Sequence, residues 1–138
     1  MRKTILPITC AMALVMGACA TTPYDVAGSS APLEIRSVQT REYDTMNKPL
    51  TMRAVIATLQ DLGFTIDQAD LGLGIVTGTR LQAQDLRMTV TVARKTEERV
   101  SVRANARLGE NSIRSAETYQ DFFVALDKAI FLAQNNVD

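Results

Sequence analysis

LRMTVTVAR at residues 86–94 and VSVRANARL at residues 100–108 decide the fold. In both runs apolar and polar residues alternate, which is typical of a strand with one buried and one solvent-facing side. The even-numbered residues of both runs are apolar, except Arg94 at the end of the first run. Because directly opposed residues of an antiparallel pair share a face, the loop between them must contain an odd number of residues, such as 95–97 or a five-residue loop. We therefore predict an antiparallel β-hairpin.

The other side of this hairpin carries a stripe of arginines: Arg87, Arg99, Arg103 and Arg107. The guanidinium fork matches the geometry of carboxylates and phosphates, so the stripe is a candidate contact for an acidic protein partner or for lipopolysaccharide phosphates. The ordinary alternative is a solvated sheet face whose charge is balanced by nearby glutamates: Glu97, Glu98 and Glu110.

The segment before the hairpin reads as a helix followed by two strands. Apolar residues recur at three- and four-residue steps over residues 50–62, which predicts one buried helix face. Asn47 or Thr51 is the candidate N-cap, and Pro49 fits the first turn only if Asn47 is the cap. Gly63 is expected to end the helix in a left-handed conformation. Strands are predicted at 64–67 and 75–81, with a turn at 67–74 between them.

The two ends of the predicted domain supply one more strand and one more helix. Residues 33–43 alternate moderately and are predicted as a strand. Residues 109–114 are predicted as a polar loop, and Ser115 is a candidate cap for the helix that follows and runs to about Gln134. Its apolar stripe is expected to supply much of the core: Tyr119, Phe122, Phe123, Leu126, Ile130 and Ala133.

These elements predict a single α+β domain at residues 33–138. The order is strand, helix, a meander of up to four strands, and helix. An antiparallel sheet with two helices covering one face is the architecture that buries all of these apolar sides together.

The N-terminus resembles a bacterial lipoprotein signal. Arg2 and Lys3 precede an apolar run that is too short to span ~30 Å of hydrocarbon, and residues 16–19 (MGAC) end it with a small pair before cysteine. The resemblance to signal-peptidase-II substrates implies cleavage after residue 18 and acylation of Cys19, which anchors the mature protein in a membrane. The alternatives are Cys10, which lacks small residues before it, and a plain secretory signal cut near Ala20.

Residues 19–32 are predicted as the lipidated cysteine and a flexible tether, because the segment is rich in Thr, Ser, Gly and Pro. By resemblance to enterobacterial lipoproteins, Ala20 after the cysteine favours the outer membrane, with the domain facing the periplasm. Loss of Arg2 and Lys3 leaves a side-chain charge of −2. That balance suggests neither nucleic acid nor an anionic membrane surface as a partner.

The residues also limit the chemistry. The chain has no histidine, which excludes Ser-His and Cys-His nucleophiles and histidine metal sites. Asp67 and Asp70 could form a carboxylate pair, but a turn between strands is the simpler account. Residues 72–74 (GLG) precede a β-branched strand, not a helix, which argues against a phosphate loop. We expect no enzyme activity, cofactor or metal.

Leu71 and Leu73 are a second candidate contact, although loop leucines usually pack under their own domain.

Two sets of sequence motifs resemble known proteins. Residues 52–80 (MRAVIATLQDLGFTIDQADLGLGIVTGTR) resemble the helix, Gly-Phe, acidic turn and Gly-Ile strand of the helix-grip domains in the C component of the outer-membrane β-barrel assembly machinery, itself a lipoprotein. A longer set resembles uncharacterised proteobacterial lipoproteins: QTREYDT (39–45), ATLQDLGFTID (57–67), VRANAR (102–107) and YQDFF (119–123). The resemblance implies a helix-grip fold and a role in the cell envelope.

Two function classes follow. The favoured hypothesis is a non-enzymatic lipoprotein domain that binds another envelope protein, as an accessory of assembly or transport. The alternative is a lipoprotein that binds a lipid or small hydrophobic ligand between its sheet and helices. A groove there of ~300 Å³ would favour the ligand, whereas a filled core would favour the protein partner.

Overall fold

The structure, a computed structural model, describes residues 30–81 and 84–135. Predictions for residues 1–29, including the signal peptide and the lipidated Cys19, lie outside these ranges. The elements in chain order are α1 (Ser30–Val38), β1 (Thr40–Tyr43), α2 (Lys48–Asp61), β2 (Thr65–Asp70), β3 (Ile75–Arg80), β4 (Leu86–Arg94), β5 (Val100–Leu108), β6 (Asn111–Ser112) and α3 (Ala116–Gln134).

The strands form one antiparallel sheet in the order β1-β5-β4-β3-β2, with the short β6 also paired to β5. The α+β class is therefore confirmed. β4 and β5 have the predicted bounds, and their register pairs Arg94 with Val100 and Leu86 with Leu108. The loop between them is residues 95–99, which confirms the five-residue alternative and keeps the even-numbered residues on one face.

The covered face of the sheet forms the core together with α2 and α3. Alternation along β4 and β5 places Val, Met and Ala side chains inward, where they are fully or almost fully buried against the helices. The main contributors are Met52, Val55, Leu59, Val76, Met88, Val90, Val92, Val100, Val102, Tyr119, Phe122, Phe123 and Leu126. Burial of this apolar surface is the principal favourable term for folding.

Helix α2 begins at Lys48, two residues before the predicted start, and Asn47 is its cap. The Oδ1 atom of Asn47 accepts a hydrogen bond of 2.9 Å from the Leu50 amide, and Pro49 lies in the first turn as that choice requires. At the other end, Gly63 has φ = +83° and the Phe64 amide donates to the Leu59 carbonyl. The chain can therefore turn directly into β2.

Helix α3 begins after Ser115 as predicted, although the Ser115 side chain makes no capping hydrogen bond. Its predicted stripe is buried from Tyr119 to Ile130. The rings of Phe122 and Phe123 meet edge to face with centroids 5.1 Å apart. This helix supplies the largest side chains of the core, as the sequence suggested.

The prediction of a strand over residues 33–43 is wrong for its first half. Residues 30–38 form α1, and only Thr40–Tyr43 pair with β5. The edge of β5 beyond Ala104 is already occupied, since the Ala106 amide donates to the Tyr119 hydroxyl, the Ala106 carbonyl accepts from the Ile113 amide, and β6 pairs with the residues that follow. A longer β1 would leave its backbone groups without partners, whereas a helix satisfies its own.

Two smaller expectations also change. β2 extends to Asp70 with a bulge between Ile66 and Gln68, so the turn is confined to residues 71–74. The predicted loop at 109–114 contains the two-residue strand β6.

Gly74, with φ = +77°, lies against β4, and a Cβ there would be 2.2 Å from the Val92 carbonyl oxygen. Glycine is required at this position.

Candidate functional site

The face of the sheet opposite the helices is open. The odd-numbered residues of β4 and β5 point to this face, and most of them are exposed. A shallow groove of about 470 Å³ runs across it. We call this surface the arginine groove; its lining is Arg87, Thr89, Thr91, Arg103, Asn105, Arg107 and Ser112. Every one of these side chains is polar, in contrast to the apolar residues on the other side of the same strands.

The register of β4 and β5 sets the order of groups along the groove. Arg87 and Arg107 are directly opposed at one end, Thr89 opposes Asn105 in the middle, and Thr91 opposes Arg103 at the other end. Two centres of positive charge are therefore separated by four residues of β5, which corresponds to ~13 Å along an extended strand. The space between them holds hydroxyl and carboxamide groups.

The arginines of the groove have few partners of their own. Arg107 approaches the Glu110 carboxylate at 3.5 Å and donates to the Glu110 carbonyl. Arg87 Nε donates a long hydrogen bond of 3.4 Å to Thr79 Oγ1. Within residues 30–81 and 84–135, neither Arg87 nor Arg103 forms an ion pair. The groove thus carries positive charge that is only partly balanced.

Arg99, the fourth residue of the predicted stripe, lies elsewhere. It belongs to the loop 95–99, where its Nε donates to Asp44 Oδ1 at 2.8 Å and its Nη1 lies 3.8 Å from Glu42 Oε2. The structure therefore brings together three of the four predicted arginines. The acids that balance the arginines also differ from the expectation. Of Glu97, Glu98 and Glu110, only Glu110 forms an ion pair with an arginine in the described part of the chain.

The two candidate catalytic carboxylates have separate structural partners. Asp67 Oδ2 accepts a 2.6 Å hydrogen bond from Thr79 Oγ1, across the β2–β3 pair. Asp70 Oδ1 accepts from the Leu73 amide at 2.8 Å and so closes the turn. These contacts favour the turn-and-strand account of both residues over acid–base chemistry.

The turn at residues 71–74 exposes its leucines. Leu71 and Leu73 are 60 % and 69 % exposed, so the expectation that such leucines pack under the domain is wrong. The turn is short, and its backbone is held by the Lys48 ammonium, which donates to the Gly72 carbonyl at 3.1 Å.

A polar cluster on the covered side ties β1 to α3. Arg41 Nη1 lies 2.5 Å from Asp127 Oδ2, and the Tyr43 hydroxyl donates to Asp127 Oδ1 at 2.8 Å. The Arg41 guanidinium also stacks over the Phe123 ring at 4.9 Å. Burial, and then the adjacent Asp127 carboxylate, raise the pKa of the Tyr43 hydroxyl above its usual value. The cluster joins β1 to α3 and borders a second groove of about 350 Å³, whose lining includes Ile130.

In the part of the chain that the structure describes, no three acidic or cysteine side chains are grouped as a metal site would require. None of the described helices combines the length and the apolar character needed to cross a membrane.

Comparison with known proteins found no match to this chain, either among protein-family models or among curated proteins.

Proposed function

We propose that this protein is a non-enzymatic lipoprotein domain that binds another protein of the bacterial envelope through the arginine groove. In this proposal Cys19 carries the lipid anchor, the outer membrane holds the anchor, and the domain faces the periplasm. The observation that carries the proposal is an uncovered sheet face with three arginines on one side of a well-packed core.

Folding alone gives no reason for this arrangement of charge. Like charges directly opposed on a sheet are destabilising, and Arg87 opposes Arg107. Threonine or serine at either position would keep the strand and remove the repulsion. A partner that supplies negative charge turns the unfavourable pair into a binding site, since both arginines are exposed and lie opposite each other on neighbouring strands.

The alternative of a hydrophobic ligand has less support. A pocket at the margin between helices and sheet, near Phe64 and Met88, has a volume of about 90 Å³, and a more open one between β1 and α3, beside Tyr43 and Ile130, has about 350 Å³. Ligand pockets are usually ~300 Å³ or larger and mostly apolar. The second pocket reaches that volume, but its lining includes the carboxylates of Asp44 and Asp127, which do not suit a lipid tail. The larger arginine groove is lined by polar side chains alone, which suits an ionic or hydrogen-bonding partner and not a lipid tail.

Site-specific crosslinking in intact envelopes tests the proposal. A photo-crosslinking amino acid at Thr91, which is exposed in the groove, should give a discrete protein adduct in the outer-membrane fraction. The same amino acid at Gln60, exposed on α2, is the matched control and should give none. Arg103→Glu should abolish the Thr91 adduct at unchanged expression, because charge reversal repels an acidic partner.

Equal adducts from both positions, or a Thr91 adduct that survives Arg103→Glu, would contradict the proposal. In either case the open face would be a solvated surface and not a recognition site.

A further inference from the structure

We propose that the partner segment that binds the arginine groove is an extended acidic stretch of polypeptide with two carboxylates four residues apart. One carboxylate lies between Arg87 and Arg107, and the other lies at Arg103. This inference rests on the proposed function and names the chemistry of the partner.

The separation of the arginine positions favours two anionic groups over a single small anion. Arg103 and Arg107 are on the same face of β5, four residues apart, which corresponds to ~13 Å along the backbone. Two anionic groups allow each position to have its own charge-assisted contact. When both groups are held on one chain, the second binds at a high effective concentration.

The middle of the groove favours a peptide over a phosphorylated headgroup. Thr89, Thr91 and Asn105 lie between the arginines, and their hydroxyl and carboxamide groups both donate and accept hydrogen bonds. A peptide backbone offers N–H donors and C=O acceptors to such groups. Ionised phosphate oxygens only accept, so they would leave the acceptor capacity of the groove unused.

The spacing further selects an extended conformation. Residues i and i+4 of an extended chain point to the same side and are separated by ~13 Å, which matches the two arginine positions. On a helix the same residues are only ~6 Å apart. The sheet face is therefore complementary to an acidic strand lying along β5.

Fluorescence anisotropy with the purified full chain in detergent tests this geometry. The probe is a labelled, threonine-rich peptide with two glutamates four residues apart. The matched peptide has the glutamates three residues apart, which places them on opposite sides of an extended chain. We expect the first peptide to bind at least ~tenfold more tightly, a difference of ~1.4 kcal/mol, and its affinity to fall as salt is added.

Variants of the protein locate the site. Arg103→Gln and Arg107→Gln should each weaken binding of the four-residue peptide about tenfold, because each removes one charge-assisted contact. Arg53→Gln removes the same charge from the exposed face of α2 and should leave binding unchanged.

Three results would overturn the inference: equal affinity for the two peptides, no effect of Arg103→Gln, or displacement of the peptide by inorganic phosphate or phosphatidylglycerol vesicles at a lower concentration than by unlabelled peptide. If no acidic peptide binds while Thr91 still gives its Arg103-dependent adduct, the acidic-strand inference fails and the proposed function stands. If the peptide binds as expected but Thr91 gives no adduct, the chemistry of the groove stands and the proposed function fails.

Discussion

The two faces of strands β4 and β5 are built from different amino acids. On the covered face, Val90, Val92 and Ala104 are inaccessible to solvent and pack against α2 and α3. On the open face, the alternating residues that line the arginine groove are arginine, threonine and asparagine, and none of the described helices covers them. One stretch of backbone therefore serves two purposes, and adjacent residues of the same strand should respond to substitution in opposite ways.

This division follows from the two-residue period of a strand. Residues that point inward contribute through apolar burial, whereas residues that point outward contribute little to the free energy of unfolding. The open face was thus free to acquire opposed arginines, at a cost small enough for the core to offset. Substitution of a fully buried side chain should therefore cost more stability than a matched substitution of a side chain that solvent reaches.

The largest effect is expected for Phe122→Ala in α3. Phe122 is fully buried between the helices and the sheet, so the truncation should lower the free energy of unfolding by ~3–5 kcal/mol. Chemical denaturation of the variant measures this loss. Val124→Ala, two residues along the same helix at a position 66 % exposed, is the control and should stay within ~0.5 kcal/mol of wild type. Similar losses for both variants would mean that Phe122 does not lie on the buried face of α3.

An intermediate effect is expected for Tyr119→Phe, which keeps the ring and removes the hydroxyl. That buried hydroxyl donates to the Ile113 carbonyl at 2.7 Å and accepts from Gln39 Nε2 and the Ala106 amide. Its loss leaves buried groups without partners and should cost ~1–3 kcal/mol in denaturation experiments.

Tyr43→Phe is the matched control for this change. The Tyr43 hydroxyl donates to Asp127, whose side chain is 46 % exposed to solvent, so its removal should cost less than Tyr119→Phe. The reverse order of the two losses would show that the Tyr119 hydroxyl does not complete the edge of β5.

The sequence predicted the parts of the fold in which one local pattern dominates. The alternation of apolar and polar residues defined both bounds of β4 and β5. Because both strands bury their even-numbered residues, the loop between them had to contain an odd number of residues. The apolar steps of α2 and α3, together with Gly63 as a helix stop, located both helices within a few residues. In these segments local preference and tertiary packing agree.

The N-terminal part was mispredicted because its conformation depends on distant residues. Residues 33–38 are too short for the helical and strand periods to be distinguished. What excludes a strand there is the Tyr119 hydroxyl, the Ile113 backbone and β6, which occupy the edge of β5. Local sequence carries no information about which groups already occupy that edge.

The candidate site was predicted only in part, because it too depends on residues that are distant in the chain. The two-residue period of a strand predicted that Arg87, Arg103 and Arg107 share one face, and they do line one groove. Arg99 was included because it is odd-numbered like the other three arginines. It binds Asp44, which is 55 residues away in the chain, and a local pattern could not show this contact. Thr89, Thr91 and Asn105 had the right parity, and only the register showed that they lie between the charge centres.

The most direct test of the account compares two neighbours on β4, Arg87 and Met88. Met88→Ala should lower the free energy of unfolding by ~2–5 kcal/mol, because Met88 is almost fully buried. Arg87→Thr should leave that free energy unchanged or raise it by ~0.2–1 kcal/mol, since it removes repulsion from Arg107, and it should abolish the protein adduct at Thr91. If Arg87→Thr instead destabilises the domain by more than ~1 kcal/mol and leaves the adduct intact, the open face belongs to the fold and not to recognition, and the account is wrong.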